Sequence, residues 1–243
     1  MIVKVLASGS KGNVTIVKTK HHNILIDAGL PLSSIIKRVD SFPDIDTMII
    51  THTHTDHIKG IKSYINRYSP KVFTKTRELE KLFPKLEINY ENYEDEDIIL
   101  NLFDLSHDTP CCGIYLEEKV TQKELVYITD TGYINKKILE KIDNKDIYIM
   151  ESNHDVERLM HSKYPFYLQQ RILSDKGHLS NATSSSYLRR ISGSKTKYVI
   201  LAHLSEENNT PELAKEEAIK ALKNKNINLM IAKQDEALDK VEV

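Results

Sequence analysis

The chain has 243 residues, of which 40% are hydrophobic and 28% charged, and its net charge is −1. That is the composition of an ordinary folded protein, with room for one large domain or two small ones. No apolar run approaches the roughly 18 residues a membrane span needs. The opening Met1-Ile2-Val3-Lys4-Val5-Leu6 runs straight into a strand-like pattern, so neither a signal peptide nor a membrane anchor is expected.

Short runs rich in Val and Ile, from Ile2 to Leu6, Val14 to Val17 and Asn23 to Asp27, are separated by turn residues and predict a meander of strands. A helix is expected after Pro31 with Ile35, Ile36 and Val39 on one face. Thr47 to Ile50 reads as a buried strand, Ile58 to Tyr68 as a helix, Lys71 to Thr74 as a strand and Arg77 to Leu82 as a helix. Strands are then expected from Ile98 to Leu105, Cys112 to Leu116 and Glu124 to Ile128, followed by a helix from Asn135 to Ile142 and a strand from Ile147 to Met150. Residues 155–192 read as polar and helical. A strand from Tyr198 to Ala202, a helix from Pro211 to Leu222 and a strand from Asn228 to Ile231 follow. Without repeats or linkers, this pattern predicts a single α/β domain over 1–243, helices outside two facing sheets. The neighbours Cys111 and Cys112 cannot staple distant segments. They read as small buried strand residues of a protein in a reducing, cytoplasmic compartment.

Charge is unevenly spread. Residues 76–104 carry nine acids against three bases, and residues 156–197 carry eight bases, among them Arg171, Arg189 and Arg190, against two acids. Two solvated helical faces, or one face with a positive field, would both look like this. Tyr164, Phe166, Tyr167 and Tyr187 lie among the bases, as a nucleic-acid surface would have them, although helix packing uses the same rings.

The chemistry is concentrated in Thr51-His52-Thr53-His54-Thr55-Asp56-His57. Imidazole nitrogens and carboxylate oxygens are donors that borderline-soft divalent cations prefer. The i, i+2 spacing sends the His52 and His54 rings the same way along an extended segment. A metal pair needs more donors than this loop holds. His107, Asp130 and His203, each at the tip of a predicted strand, are candidates, with capping or turn roles as the alternative.

His52-x-His54-x-Asp56-His57, then His107, Asp130 and His203, resembles the pattern of metallo-β-lactamase-fold hydrolases, and Asp27 matches that family's early structural aspartate. The resemblance implies a four-layer αββα sandwich, two mixed sheets flanked by helices. It implies a first divalent metal held by His52, His54 and His107, a second by Asp56, His57 and His203, Asp130 bridging, and a hydroxide between the metals as nucleophile. Zn²⁺ is expected, with Mn²⁺ compatible. Leu6-Ala7-Ser8-Gly9-Ser10-Lys11-Gly12-Asn13, Glu151-Ser152-Asn153-His154-Asp155, Ser174-Asp175-Lys176-Gly177-His178-Leu179-Ser180-Asn181 and Leu201-Ala202-His203-Leu204-Ser205 are similar to the YycJ/VicX (WalJ) branch of the family. That likeness implies a 5′→3′ exonuclease acting on double-stranded DNA, with DNA preferred over RNA as partner and a homodimer as a further possibility.

His178 precedes a helix expected near Ala182. A phosphate could rest on that helix start beside Ser180 and Asn181, with His178 protonating the leaving oxygen, as a comparable histidine of the tRNA 3′-processing enzymes suggests; a capping turn with an exposed ring is the alternative. Ser8, Ser10 and Asn13 form an anion-binding loop or an ordinary turn. Glu151 and His154 are candidate orienters, and Arg171, Arg189 and Arg190 candidate phosphate contacts. The competing readings are cleavage of a small cyclic nucleotide, lactone or thioester hydrolysis, and a non-catalytic binding module. The complete donor set argues against the last. A β-lactam substrate fits least, for want of an export signal.

Overall fold

The computed structural model describes residues 1–222 and 226–243. In chain order, β1 (Ile2–Ala7), β2 (Val14–Lys18) and β3 (Asn23–Ile26) form the expected meander. Helix α1 (Leu32–Ile35) and a 3-10 turn lead to β4 (Thr47–Ile49). Helices α2 (Thr55–Ile58) and α3 (Ile61–Tyr68), β5 (Lys71–Phe73), α4 (Glu78–Leu82) and β6 (Ile88–Asn89) complete the first half. The second half runs β7 (Tyr93–Glu94), β8 (Ile98–Leu105), β9 (Cys111–Glu118), β10 (Lys123–Ile128), α5 (Lys136–Lys141) and β11 (Ile147–Glu151). It continues through α6 (Val156–Met160), α7 (Phe166–Leu173), α8 (Asn181–Ile191), β12 (Tyr198–Ala202), α9 (Pro211–Ala221) and β13 (Asn228–Ile231). Strand β14 (Val241–Glu242) returns to pair with β1.

Two seven-stranded sheets result, ordered β14-β1-β2-β3-β4-β5-β6 and β13-β12-β11-β10-β9-β8-β7. In each, one half is antiparallel and the other parallel. Period-2 alternation sorts the side chains into layers. Val3, Val5, Ile24 and Ile26 meet Leu100, Ile114, Leu125 and Ile149 between the sheets. Leu25, Met48 and Val72 face outward against Ile61, Tyr64 and Leu79 of the helices. Val126, Tyr148, Met150 and Val199 do the same against Ile138, Leu188 and Ala214. This is the four-layer αββα arrangement. The parallel strands are covered on both faces, so they read as unbroken apolar runs. No described helix is long and apolar enough to cross a membrane.

Two expectations need correction, and three short strands were not expected. The helix after Pro31 is one turn plus a 3-10 turn, and Ile36 is 47% exposed, because the chain must swing back to β4 rather than lie along the sheet. The helix expected from Ile58 to Tyr68 is broken at Gly60, whose N–H donates to the Ala28 carbonyl at 2.7 Å. A Cβ there would lie 2.1 Å from the Leu30 carbonyl oxygen, so only glycine permits the approach. Strands β6, β7 and β14, each two residues long, are too short to carry a period.

Gly29 is under the same constraint from the other side of that loop: a Cβ would sit 1.8 Å from the Asp56 carbonyl oxygen and 2.5 Å from the Asn13 nitrogen. Gly29→Ala is therefore expected to push the Asp56 turn outward, lowering stability by about 1–3 kcal/mol in a urea titration and weakening metal binding with it. An unchanged urea midpoint would contradict this packing.

Candidate metal centre

The functional side chains stand where the C-terminal ends of the parallel strands of both sheets converge. A hydrogen bond from Cys112 N–H to the Thr51 carbonyl (3.0 Å) joins the sheets at this edge. Asp27 follows β3, the His52–His57 loop follows β4, His107 follows β8, Asp130 follows β10, Glu151 ends β11 and His203 follows β12. Asp27, Asp130 and His203 all turn the chain with left-handed backbone, at φ 58°, 58° and 55°. That conformation lets a strand end abruptly and aim its next side chain back across the strand tips.

Three imidazoles form one pocket. His52, His54 and His107 have ring centroids 4.6, 5.2 and 5.1 Å apart. Two are pinned through one nitrogen by hydrogen bonds, His52 Nδ1 by Thr51 Oγ1 (3.1 Å) and His107 Nδ1 by the Gly177 carbonyl (3.3 Å), and His54 Nε2 has the Asp108 Oδ1 atom 3.2 Å away. The other nitrogen of each ring therefore keeps its lone pair for a cation. His52 Nε2 is buried without a hydrogen-bond partner. Burial, reinforced by His57, holds the His52 pKa well below the ordinary value, and burial lowers that of His107. Both rings are neutral, as ligation requires.

Asp56, His57 and His203 form a second pocket. Asp56 Oδ2 lies 3.3 Å from His57 Nε2 and 3.4 Å from His203 Nε2. His57 Nδ1 donates to Asp27 Oδ2 (2.7 Å), and His203 Nδ1 meets Glu151 Oε1 (3.1 Å). Between the pockets, Asp130 Oδ2 is 3.2 Å from His57 Nε2 and lacks a hydrogen-bond donor although the residue is only 2% exposed. Donor atoms of His52, His54 and His107, of His52, His57 and Asp130, and of Asp56, His57 and His203 each fall within 4.8 Å of one another.

Electrostatics point the same way. Burial opposes charge on His57 and His203, but Asp27 and Asp130 lift the first well above its ordinary value, and Asp130, Asp56 and Glu151 lift the second to about 10. Burial would raise the Asp56 and Asp130 carboxyls, yet the surrounding histidines hold both well below the usual carboxylate range. A group of carboxylates that retains protons on neighbouring imidazoles is a group that attracts cations. The orphaned His52 Nε2 and Asp130 Oδ2, with N and O donors around them, fit divalent metal.

Glu151, fully buried, ties the site to the loop before α8. Its Oε1 contacts His178 Nδ1 (2.7 Å) and His203 Nδ1, while Oε2 accepts from Thr131 N–H (3.0 Å) and Leu179 N–H (3.1 Å). Burial would lower the His178 pKa, but Glu151 and Asp130, both on the Nδ1 side of the ring, raise it. The ring is half-buried, with its side chain 16% exposed. His154 takes no part in this orientation: it is 1% exposed, both ring nitrogens lack partners, and burial drops its pKa to about 4, so it packs as a neutral ring.

The expected substrate contacts divide. Ser10, Tyr164, Leu168 and Arg171 line the cleft of about 260 Å³ over Asp56, Asp130, His178 and His203. Ser8, Ser180 and Asn181 are buried and used internally: Ser8 Oγ accepts from His203 N–H (2.8 Å), Ser180 Oγ caps α8 through Thr183 N–H (3.2 Å), and Asn181 Oδ1 accepts from Ser152 Oγ (2.7 Å). Asn13 binds no anion either. Its backbone N–H donates to the Asp56 carbonyl (2.8 Å), and its Nδ2 lies 3.0 Å from His57 Nε2. Arg189 and Arg190 sit at the far end of α8, where the Ile191 carbonyl meets Asn144 N–H just ahead of β11, away from the strand tips that carry His52, Asp130 and His203. Lys195 is drawn to Glu124 at that same far end. The basic stretch is thus not one groove. A larger neighbouring cavity of about 800 Å³, edged by Glu206, Glu212, Lys233, Asp235 and Glu236, has no imidazole in its lining.

Glu78 and Asp108 were invisible as site residues in the sequence. Thr53 Oγ1 and Thr109 Oγ1 both donate to Glu78 Oε2, at 2.8 and 3.0 Å.

A family profile described as a beta-lactamase superfamily domain matches residues 22–204. The chain is 36% identical over 226 residues to Exodeoxyribonuclease WalJ of Streptococcus pneumoniae, covering 86% of this chain and 84% of that one. It is 33% identical over 239 residues to Exodeoxyribonuclease YycJ of Bacillus anthracis, covering 91% and 89%. Among solved structures, the metallo-beta-lactamase fold protein YhfI from Bacillus subtilis matches with a TM-score of 0.72 at 16% identity over 98% of this chain and 99% of that one. Human tRNase Z, short form, matches at 0.68 and 14% identity over the same shares. At such identities these structures speak for the fold alone.

Proposed function

The chain belongs to the β-lactamase superfamily and has the metallo-β-lactamase fold, and from that premise we propose that it is a metal-dependent exonuclease acting 5′→3′ on DNA. The observation that carries the metal chemistry is the convergence of His52, His54, Asp56, His57, His107, Asp130 and His203 around two buried, unpartnered donor atoms. The choice of DNA is supported by the exodeoxyribonuclease names of relatives at 36% and 33% identity.

His52, His54 and His107 would hold one divalent ion and Asp56, His57 and His203 a second, with Asp130 shared, and the histidine-rich donors favour zinc, with manganese compatible. Such a pair acidifies water and offsets charge on an attacked phosphate. The chain's own groups do the rest. Asp27 and Glu151 fix the His57 and His203 rings. Arg171 and Ser10, at the mouth of the cleft, bind and orient the phosphate. His178 holds a proton on Nε2, kept there by Glu151, and delivers it to the departing oxygen.

Purified protein is expected to carry about two transition-metal ions per chain, and to degrade 5′-labelled duplex DNA in a reaction that chelators abolish and zinc or manganese restores. Metal-free protein that digests DNA unaided would refute the proposal. Cleavage of cyclic nucleotides with no action on DNA would transfer the site to small esters. Binding should also release a proton: the carboxylates around His203 lift it to about 10, and the ring must give that proton up to ligate. Zinc affinity should therefore rise with pH toward about 10, the His203 value. Calorimetric titration in buffers of differing ionisation enthalpy reads the release directly, and buffer-independent heats would contradict it.

A further inference from the structure

Asp108 lies outside the ligand set, yet its carboxylate touches the three-histidine pocket at two rings. Oδ1 is 3.2 Å from His54 Nε2 and 3.4 Å from His107 Nε2, and Oδ2 is 3.3 Å from Arg171 Nη2. His52 and His107 are oriented by a hydroxyl and a backbone carbonyl. For the His54 Nε2 edge the orienting group is this carboxylate. A carboxylate at one edge of an imidazole favours the proton on that side and leaves the other nitrogen as the more basic ligand. His54 Nδ1 faces His107 Nε2 at 3.4 Å, the side on which a cation would sit. Asp108 is itself held in register, because Glu78 accepts hydrogen bonds from Thr53, beside His54, and from Thr109, beside Asp108.

Resting on the reading of His52, His54 and His107 as a metal pocket, we propose that Asp108 is the positioning residue of that pocket: it presents His54 Nδ1 to the cation, while Arg171 anchors the carboxylate at the mouth of the cleft. The assignment links the outermost phosphate-facing group, Arg171, to the first metal through one side chain. An isolated surface ion pair between Asp108 and Arg171 would have no such consequence and would matter little to stability.

The test is zinc affinity of the full chain, measured by competition with a chromophoric chelator on wild type, Asp108→Asn, Asp108→Ala and Arg171→Ala, with the visible spectrum of the cobalt-loaded proteins as a second readout. Both Asp108 variants are expected to weaken one of the two sites by about 10–100-fold and to shift the cobalt bands, leaving the other site unchanged. The metal-free melting temperature should barely move, since the Asp108 side chain is 31% exposed. Asp108→Asn, nearly the same shape, carries the test if the alanine variant folds poorly. Arg171→Ala removes one anchor of the carboxylate but leaves Thr109 on Glu78 to hold the turn, so it should weaken the site less than either Asp108 variant. Two full-affinity sites in Asp108→Asn, or an equal loss of affinity in Arg171→Ala, would overturn the role of Asp108 while sparing the metal centre. A wild type that binds no zinc would instead overturn the metal reading itself.

Discussion

Asp56→Ala is expected to cut phosphodiester turnover by about 10²-fold or more, on DNA and on bis-p-nitrophenyl phosphate alike, with little change in the metal-free fold. The carboxylate lies within 3.4 Å of both His57 and His203, so its loss would remove a donor and a negative charge from the proposed metal pocket. It stands on a loop whose backbone is held independently, by Asn13 N–H on the Asp56 carbonyl and Gly60 N–H on the Ala28 carbonyl. The fold therefore has no reason to follow the side chain. Steady-state rates with both substrates, alongside metal content, check the claim; activity above a few per cent with either ester would remove Asp56 from the mechanism.

His178→Ala should behave differently. General-acid help is worth about 10²–10⁴-fold when the leaving oxygen is a poor one, as in a nucleic-acid ester, and almost nothing when it is nitrophenolate. The variant is expected to lose DNA cleavage by that range while hydrolysing bis-p-nitrophenyl phosphate close to the wild-type rate. Glu151→Gln should show a weaker form of the same split, because Glu151 keeps the proton on His178, combined with some loss at His203. Equal losses on the two esters in His178→Ala would show that the ring shapes the site rather than moving a proton.

The sequence exposed most of this because ligand chemistry is local and strand ends are legible. The apolar runs ending at Ile50, Ile128 and Ala202 predicted where His52, Asp130 and His203 would emerge, and sheet pairing brought those tips together. Residues whose function depends on distant partners were not legible. Ser180 and Asn181 have the composition of a phosphate cradle, but Thr183, Ser152 and Asn209 claim them, and only the fold reveals that. Arg189 and Arg190 were grouped with Arg171 by their place in the chain, yet α8 carries them to the opposite end of the sheet. Asp108, next to a histidine in an ordinary turn, gave no signal that its carboxylate would meet a ring 54 positions earlier.

The left-handed turns at Asp27, Asp130 and His203 set endurance against turnover. An ordinary side chain in that conformation costs about 1–3 kcal/mol, and these are half of the six non-glycine residues so placed among those described. Glycine or asparagine would relieve the backbone at each position, and a chain selected for heat resistance alone would carry them. Here the relief would remove the Asp130 and His203 donors and the carboxylate that orients His57. Occupied sites return the difference by mass action, since a cation bound only to the folded chain shifts the unfolding equilibrium in its favour. Susceptibility to proteolysis thereby becomes a gauge of metal supply: a starved chain opens more often than a loaded one, and its lifetime follows the cation before its activity is ever called on.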